Sequence, residues 1–121
     1  MRVKKVRIGI KSVATAMQDF VTTAEAIERG ETVRKEAGVY FTSLDAVRKV
    51  LTPQRMGLLR LIREKKPSSL HDLARLSRRN IKNVSDDVRY LAQVGLIDIK
   101  EADQKVSARV NYDKILLEIA V

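Results

Sequence analysis

The sequence has no cysteine among its 121 residues, which excludes a disulfide framework, a thiolate zinc site and a cysteine nucleophile. It has a single histidine. With no second His or Cys to join it, His71 reads as a helix-surface residue rather than a metal ligand. Aromatic residues make up only 4%, so neither the stacking platform of RNA-binding modules nor an aromatic-lined ligand pocket can be read from the chain. There is no Gly-rich phosphate loop. No apolar run approaches the roughly 18 to 20 residues that cross a bilayer. The basic N-terminal stretch alternates charge with Val and Ile, unlike the apolar block of a secretory signal. These absences argue against an enzyme, a cofactor protein or a membrane protein. The expectation is a soluble, cytoplasmic binding protein with no cofactor.

What is present points to one polyanion-binding domain. The length suits a single core, and hydrophobic residues at 45% can fill it with Leu, Ile, Val and Ala. Lys and Arg number 24 against 15 Asp and Glu, a net charge of +9. Such an excess favours nucleic acid as partner, with an anionic membrane surface second.

Along the chain, Val6, Ile8 and Ile10 alternate with polar or small residues at the period of a half-buried strand. Ser12 can cap a helix in which Val13, Ala16, Met17, Phe20, Ala24 and Ile27 recur at helical spacing until Gly30. Gly38 to Phe41 reads as a short strand, and Ser43 can cap a short helix carrying Leu44, Val47 and Leu51. Thr52-Pro53 opens a further helix with Met56, Leu59, Leu61 and Ile62, closed by Pro67. Ser69 and Asp72 stand three apart, as in a capping box, before a helix of barely two turns. After Ser77-Arg78-Arg79-Asn80, a third helix carries Ile81, Val84, Val88 and Leu91 on one face and stops at Gly95. Alternating residues from Leu96 to Lys100 and from Lys105 to Val110 then predict a hairpin, although its turn lacks an Asn-Gly or Asp-Gly pair. Residues 112–121 fit a strand or a short helix.

Helix, short helix, third helix and hairpin in this order predict a winged helix-turn-helix, with the DNA-reading unit between about Leu51 and Arg109. The expected fold is mainly α with a small β part. Residues 1–50 form an N-terminal strand-helix extension for dimerisation or partner binding, and residues 51–121 form the DNA-binding domain. Around the third helix, Arg79, Lys82, Asn83, Asp86 and Arg89 fall on the outward face. Arg and Lys can donate to guanine, and Asn can bond both ways to adenine. An ordinary solvated helix face would carry the same charges, so the order of the elements, not the charges, favours DNA. Arg78, Asn80 and Ser85 complete the candidate helix-and-turn contacts. Ser68 and Ser69 can receive a backbone phosphate or simply cap their helix. Lys105 and Arg109 are candidate wing contacts, or unremarkable surface-strand charges.

The runs Leu-Thr-Pro-Gln-Arg-Met-Gly-Leu-Leu-Arg-Leu-Ile (51–62), Ser-Leu-His-Asp-Leu-Ala-Arg-Leu-Ser-Arg-Arg-Asn (69–80), Val-Ser-Asp-Asp-Val-Arg-Tyr-Leu (84–91) and Gly-Leu-Ile (95–97) resemble the MarR-like and ArsR-like winged-helix transcription regulators. More narrowly, Phe41 to Leu51 leading into Leu-Thr-Pro-x-Arg is similar to small regulators of bacteria and archaea often encoded beside a toxin gene. The resemblance implies a homodimer on palindromic double-stranded DNA, a repressor, and an antitoxin that represses its own operon with a cognate toxin as second partner. The acidic pair Asp86-Asp87 departs from the pattern and puts base readout there in question. The competing reading is a protein-interaction module that uses a winged-helix scaffold to hold a toxin, with little specific DNA binding.

Overall fold

Alternation in Val6-Arg7-Ile8-Gly9-Ile10 gives strand β1 (Lys5–Ile10) one apolar face and one polar face, and this strand is the centre of the main sheet. The computed structural model describes residues 4–32, 38–119 and 121. β2 (Gly38–Phe41) and β5 (Lys114–Ile119) flank β1, both parallel to it, in the order β2-β1-β5. The register places Ile8 between Val39 and Leu117, and Ile10 between Phe41 and Ile119. Ile8 is fully buried, with Val6, Ile10, Val39, Phe41 and Ile115 packed around it against the helical core. The C-terminal stretch, for which strand and helix were both open, is therefore a strand. It carries the chain from the hairpin back to its own beginning.

On the other face of the sheet Tyr40 lies across β1. A Cβ at Gly9 would meet the Tyr40 ring at 2.8 Å, so glycine is what allows the ring to lie flat there. The Lys11 ammonium sits 4.0 Å above the ring centre.

Between β1 and β2 runs α1 (Val13–Glu28), capped by Ser12, whose hydroxyl accepts from the Thr15 N–H. It is the amphipathic helix expected, but none of its residues is buried. α2 (Leu44–Val50) is capped by Ser43 as expected. Its buried pair is Val47 and Val50, with Leu44 left exposed. The predicted face Leu44, Val47, Leu51 is corrected here: the seven-residue helix ends at Val50, so Leu51 leaves the helical spiral and Val50 fills the inward position instead.

α3 (Pro53–Lys65), α4 (Leu70–Ser77) and α5 (Ile81–Gln93) follow, then the antiparallel hairpin β3 (Asp98–Ala102) and β4 (Lys105–Arg109). Thr52 caps α3 with Pro53 in its first turn, and Lys66 in the left-handed region (φ 47°) closes it. Leu58, Leu59 and Ile62 of α3, Leu70, Leu73 and Ala74 of α4, and Val84, Val88 and Leu91 of α5 form the aliphatic core with Leu96, Ile97 and Ala108. Among the described residues there are five helices and five strands. The fold is a mixed α and β one in which the two chain ends share a sheet.

Two details of this frame are open to test. The hairpin turns through Asp103 (φ 51°) and Gln104 (φ 63°), the double left-handed geometry of a tight hairpin turn, without the glycine that would relieve it. Gln104→Gly should stabilise the protein by about 1 kcal/mol and raise its melting temperature by roughly 3 to 6 °C. A melting temperature unchanged or lowered would show that no strain is stored there.

The second detail is Tyr112, whose hydroxyl donates to the Leu96 carbonyl at 2.8 Å and pins the approach to β5 against the entry to β3. Burial, with a smaller contribution from the Asp98 carboxylate, pushes its phenol up from 10.0 to about 12. The folded protein thus holds this proton more tightly than the unfolded chain. Its contribution is intact below about pH 10 and is lost as pH rises toward 12. In urea titrations Tyr112→Phe should cost about 1 kcal/mol at neutral pH yet show a shallower alkaline decline. An equally steep decline in the variant would assign the loss to another group.

Candidate nucleic-acid interface

α4 and α5 are joined by a three-residue turn whose geometry follows from its residue types. Arg78 takes the left-handed conformation (φ 56°) that ends α4, its N–H donating to the Ala74 and Arg75 carbonyls. Asn80 caps α5 by accepting the Lys82 N–H at 2.8 Å. At the other end of α4, the Ser69 hydroxyl accepts from the Asp72 N–H at 3.0 Å. The Asp72 carboxylate accepts in return from the N–H and hydroxyl of Ser68, one residue earlier than a capping box requires. Arg75 beside it, then Ser68, hold the Asp72 carboxyl below its usual range. Of the N–H groups in the first turn of α4, that of Asp72 is taken by the Ser69 hydroxyl, while those of Leu70 and His71 have no acceptor within the helix.

With Val84, Val88 and Leu91 turned inward, α5 presents Lys82, Asn83, Asp86, Arg89 and Tyr90 to solvent. Arg89 reaches back to the Ser85 hydroxyl at 3.3 Å, leaving its terminal nitrogens unpaired in that bond. Between the start of α4, α5 and the hairpin lies a cleft of about 440 Å³, lined by Ser69, His71, Ile81, Ser85, Gln104 and Lys105. His71 is on the helix surface, as expected, and that surface is a wall of the cleft. Lys105 is exposed at the hairpin's rim.

Besides Ser68, Ser69 and the Ser85–Arg89 pair, three further residues expected at the interface are engaged within the protein. Arg109 donates to the Pro67 and Ala108 carbonyls and so ties the hairpin to the α3–α4 junction. Asn80 is spent on its cap. Arg79 pairs with Asp87 at 2.9 Å, and Arg55 meets the other oxygen of the same carboxylate at 3.1 Å. The cations of the expected set that remain exposed are thus Arg78, Lys82, Arg89 and Lys105.

A family model, HVO_A0114, matches residues 50–117. The chain belongs to the HVO_A0114 family. No curated protein matches it. The matched stretch of this HVO_A0114 protein runs from the end of α2 into β5 and contains the cleft, α5 and the hairpin. Among the described residues no group of three His, Cys, Asp or Glu side chains is placed to hold a metal.

The feature that sequence reasoning missed is Arg55. Its guanidinium bonds Asp87, the Lys49 and Val50 carbonyls at 2.9 and 3.3 Å, and stacks 4.3 Å over the Tyr90 ring. One side chain therefore joins the end of α2, the start of α3 and the middle of α5. The acidic pair is resolved as well: Asp87 faces inward and Asp86 outward. Asp87 and its two arginine partners are 15 to 22% exposed, so the pairs are screened less than surface ones.

Asp87→Asn would leave two half-buried guanidiniums without their shared counter-charge and should cost about 2 kcal/mol in chemical denaturation. Arg79→Ala added to that background should cost much less than in the wild type, because the two changes remove one interaction. Additive losses would show that the pair is not coupled.

Proposed function

We propose that this HVO_A0114 protein is a winged helix-turn-helix regulator that binds double-stranded DNA as a homodimer, with α5 in the major groove and the β3–β4 hairpin as the wing along the backbone. The observation that carries this reading is the solvent face of α5. Lys82, Asn83 and Arg89, the residue types that pair with base edges, are exposed together on the helix that adjoins the cleft. The N–H groups of Leu70 and His71 at the start of α4, with Lys105 across the cleft, suit a phosphate of the strand that borders the major groove. The net charge of +9 supplies the long-range attraction. Arg79, Asn80 and Arg109 hold the frame and position the readers. The resemblance to small regulators encoded beside toxins extends the reading to a repressor, an antitoxin acting on its own operon.

A second reading, a protein-interaction module on the same scaffold, is favoured by the uncovered apolar residues of α1. The two are separated by binding to duplexes selected from a random pool, followed by anisotropy titration over a salt series. A DNA-reading dimer should show a slope of log K against log salt of roughly −4 or steeper. Asn83→Ala or Arg89→Ala should cost about 1 to 3 kcal/mol on the selected duplex and much less on random DNA. Lys105→Ala should weaken both equally and shallow the slope by about one. Selection that enriches no sequence, together with a flat salt response, would leave the interaction module as the function.

A further inference from the structure

Within α1 the apolar residues follow a strict spacing. Val13, Met17, Phe20, Ala24 and Ile27 are separated by four, three, four and three residues, the 4-3 rhythm of a coiled-coil seam over two heptads. At 3.6 residues per turn they share one stripe about 80° wide, with Val21 on its border. Val13, Met17, Phe20 and Ile27 are 61 to 74% exposed.

The helix turns a different side to its own chain. Asp19 pairs with Lys11 at 2.6 Å, and the two α1 residues that are half-buried, Thr23 and Ala26, lie on that same side. The seam therefore points away from the rest of the molecule.

The geometry points to a second copy of this chain as the occupant: we propose that α1 pairs with α1 of another copy as a short antiparallel two-helix seam centred on Phe20. The seam is close to a palindrome about that residue. In the antiparallel pair Val13 meets Ile27 of the second copy, Met17 meets Ala24, and Phe20 lies next to the two-fold axis, as a self-complementary interface requires.

Charge selects the same arrangement. α1 contains Asp19, Glu25 and Glu28 and no lysine or arginine, so the stripe is unsuited to DNA. A parallel pair would bring Glu25 and Glu28 of both copies to one end. The antiparallel pair instead sets them near the helix start and Lys11 of the other copy, where the helix dipole favours negative charge. The positions that flank the seam are Ala14, Ala16, Val21, Thr23 and Glu28, so no like charges face each other across it.

Two helices of 16 residues are about 24 Å long, and their seam alone covers less than the about 1,200 Å² of a standard interface. The free dimer is therefore expected to exchange at micromolar concentration. The proposal deepens the dimer named under the proposed function, and its test is made without DNA.

Sedimentation equilibrium of the full chain from 5 to 200 µM should show dimer, and Phe20→Asp, at an exposed site, should be monomeric with an unchanged circular dichroism spectrum. The absence of native cysteine makes disulfide trapping clean. Phe20→Cys alone should oxidise to a covalent dimer. Val13→Cys alone should not, because the two copies of that residue stand about 20 Å apart, yet Val13→Cys mixed with Ile27→Cys should. A wild type that stays monomeric at 200 µM, a Phe20→Asp variant that stays dimeric, or Val13→Cys that links to itself as readily as Phe20→Cys would overturn the proposal. A trapped, folded dimer that enriches no DNA sequence would refute the DNA reading and leave this seam standing.

Discussion

The placement of α5 depends on one carboxylate. Asp87 accepts from Arg55 with one oxygen and from Arg79 with the other, and the two arginines reach it from opposite sides, one from α3 and one from the α4–α5 turn. Hydrophobic contacts through Val84, Val88 and Leu91 supply the adhesion that holds α5 down, but such contacts are non-directional. A helix can slide or roll on an aliphatic layer at modest cost. Two charged hydrogen bonds, one to each oxygen of the same carboxylate, cannot both be kept after a shift of an ångström or two, so the clamp converts adhesion into a fixed register. Arg79 keeps a buried Nη1 with no acceptor among the described residues, a cost that stands against its charged bond to Asp87.

The same logic of local bonds fixing what the core only attracts applies along the edge of the unit. Arg109 anchors the hairpin to the carbonyl of Pro67, and Tyr112 anchors the following segment to the carbonyl of Leu96. Both acceptors are backbone groups at element ends, where helices and strands leave carbonyls unused. The hairpin is thereby held at both ends while its turn projects freely. The parallel pairing of β5 with β1 then closes the chain on itself, with β1 hydrogen-bonded on both edges and Ile8 sealed beneath it.

Much of this was legible in the residues. Four of the five helix starts were marked by a side chain that proves to cap it, Ser12, Ser43, Thr52 and Ser69; the fifth cap, Asn80, read instead as a contact residue. These signals act over three or four residues, and sequence order carries them intact. The strand pattern of Val6, Ile8 and Ile10 and the inward face of α5 were legible for the same reason. The parallel pairing of β5 was not, because a register between residues more than a hundred positions apart leaves no local trace. Arg55 was hidden for a related cause: an arginine one turn into a helix looks like any solvated cation, and its three partners come from α2 and α5. Arg79 and Arg109 read as free cations because charge is visible in a sequence and its neutralisation is not. The candidate site changed accordingly, from a list of basic residues to a smaller set of free ones on a frame held by the rest.

Charge and apolar surface are distributed unevenly, and the unevenness limits what each part can do. The exposed cations Arg78, Lys82, Arg89 and Lys105 belong to the α4–α5 turn, α5 and the hairpin, whereas α1 carries acidic residues and an uncovered apolar seam. A polyanion is drawn to the first region and repelled by the second, with a range of about 8 to 10 Å at physiological salt. An apolar partner is drawn only to the second. The two surfaces therefore do not compete for one ligand, and occupying either leaves the other open. That separation has a structural root: α1 meets its own chain through the Asp19–Lys11 pair and contributes nothing buried to the core, so its outer face can carry a partner without disturbing the clamp that positions α5. In a two-fold assembly built on α1, each copy would keep its α5 face free, and the spacing between the two faces would be set by the seam rather than by the groove.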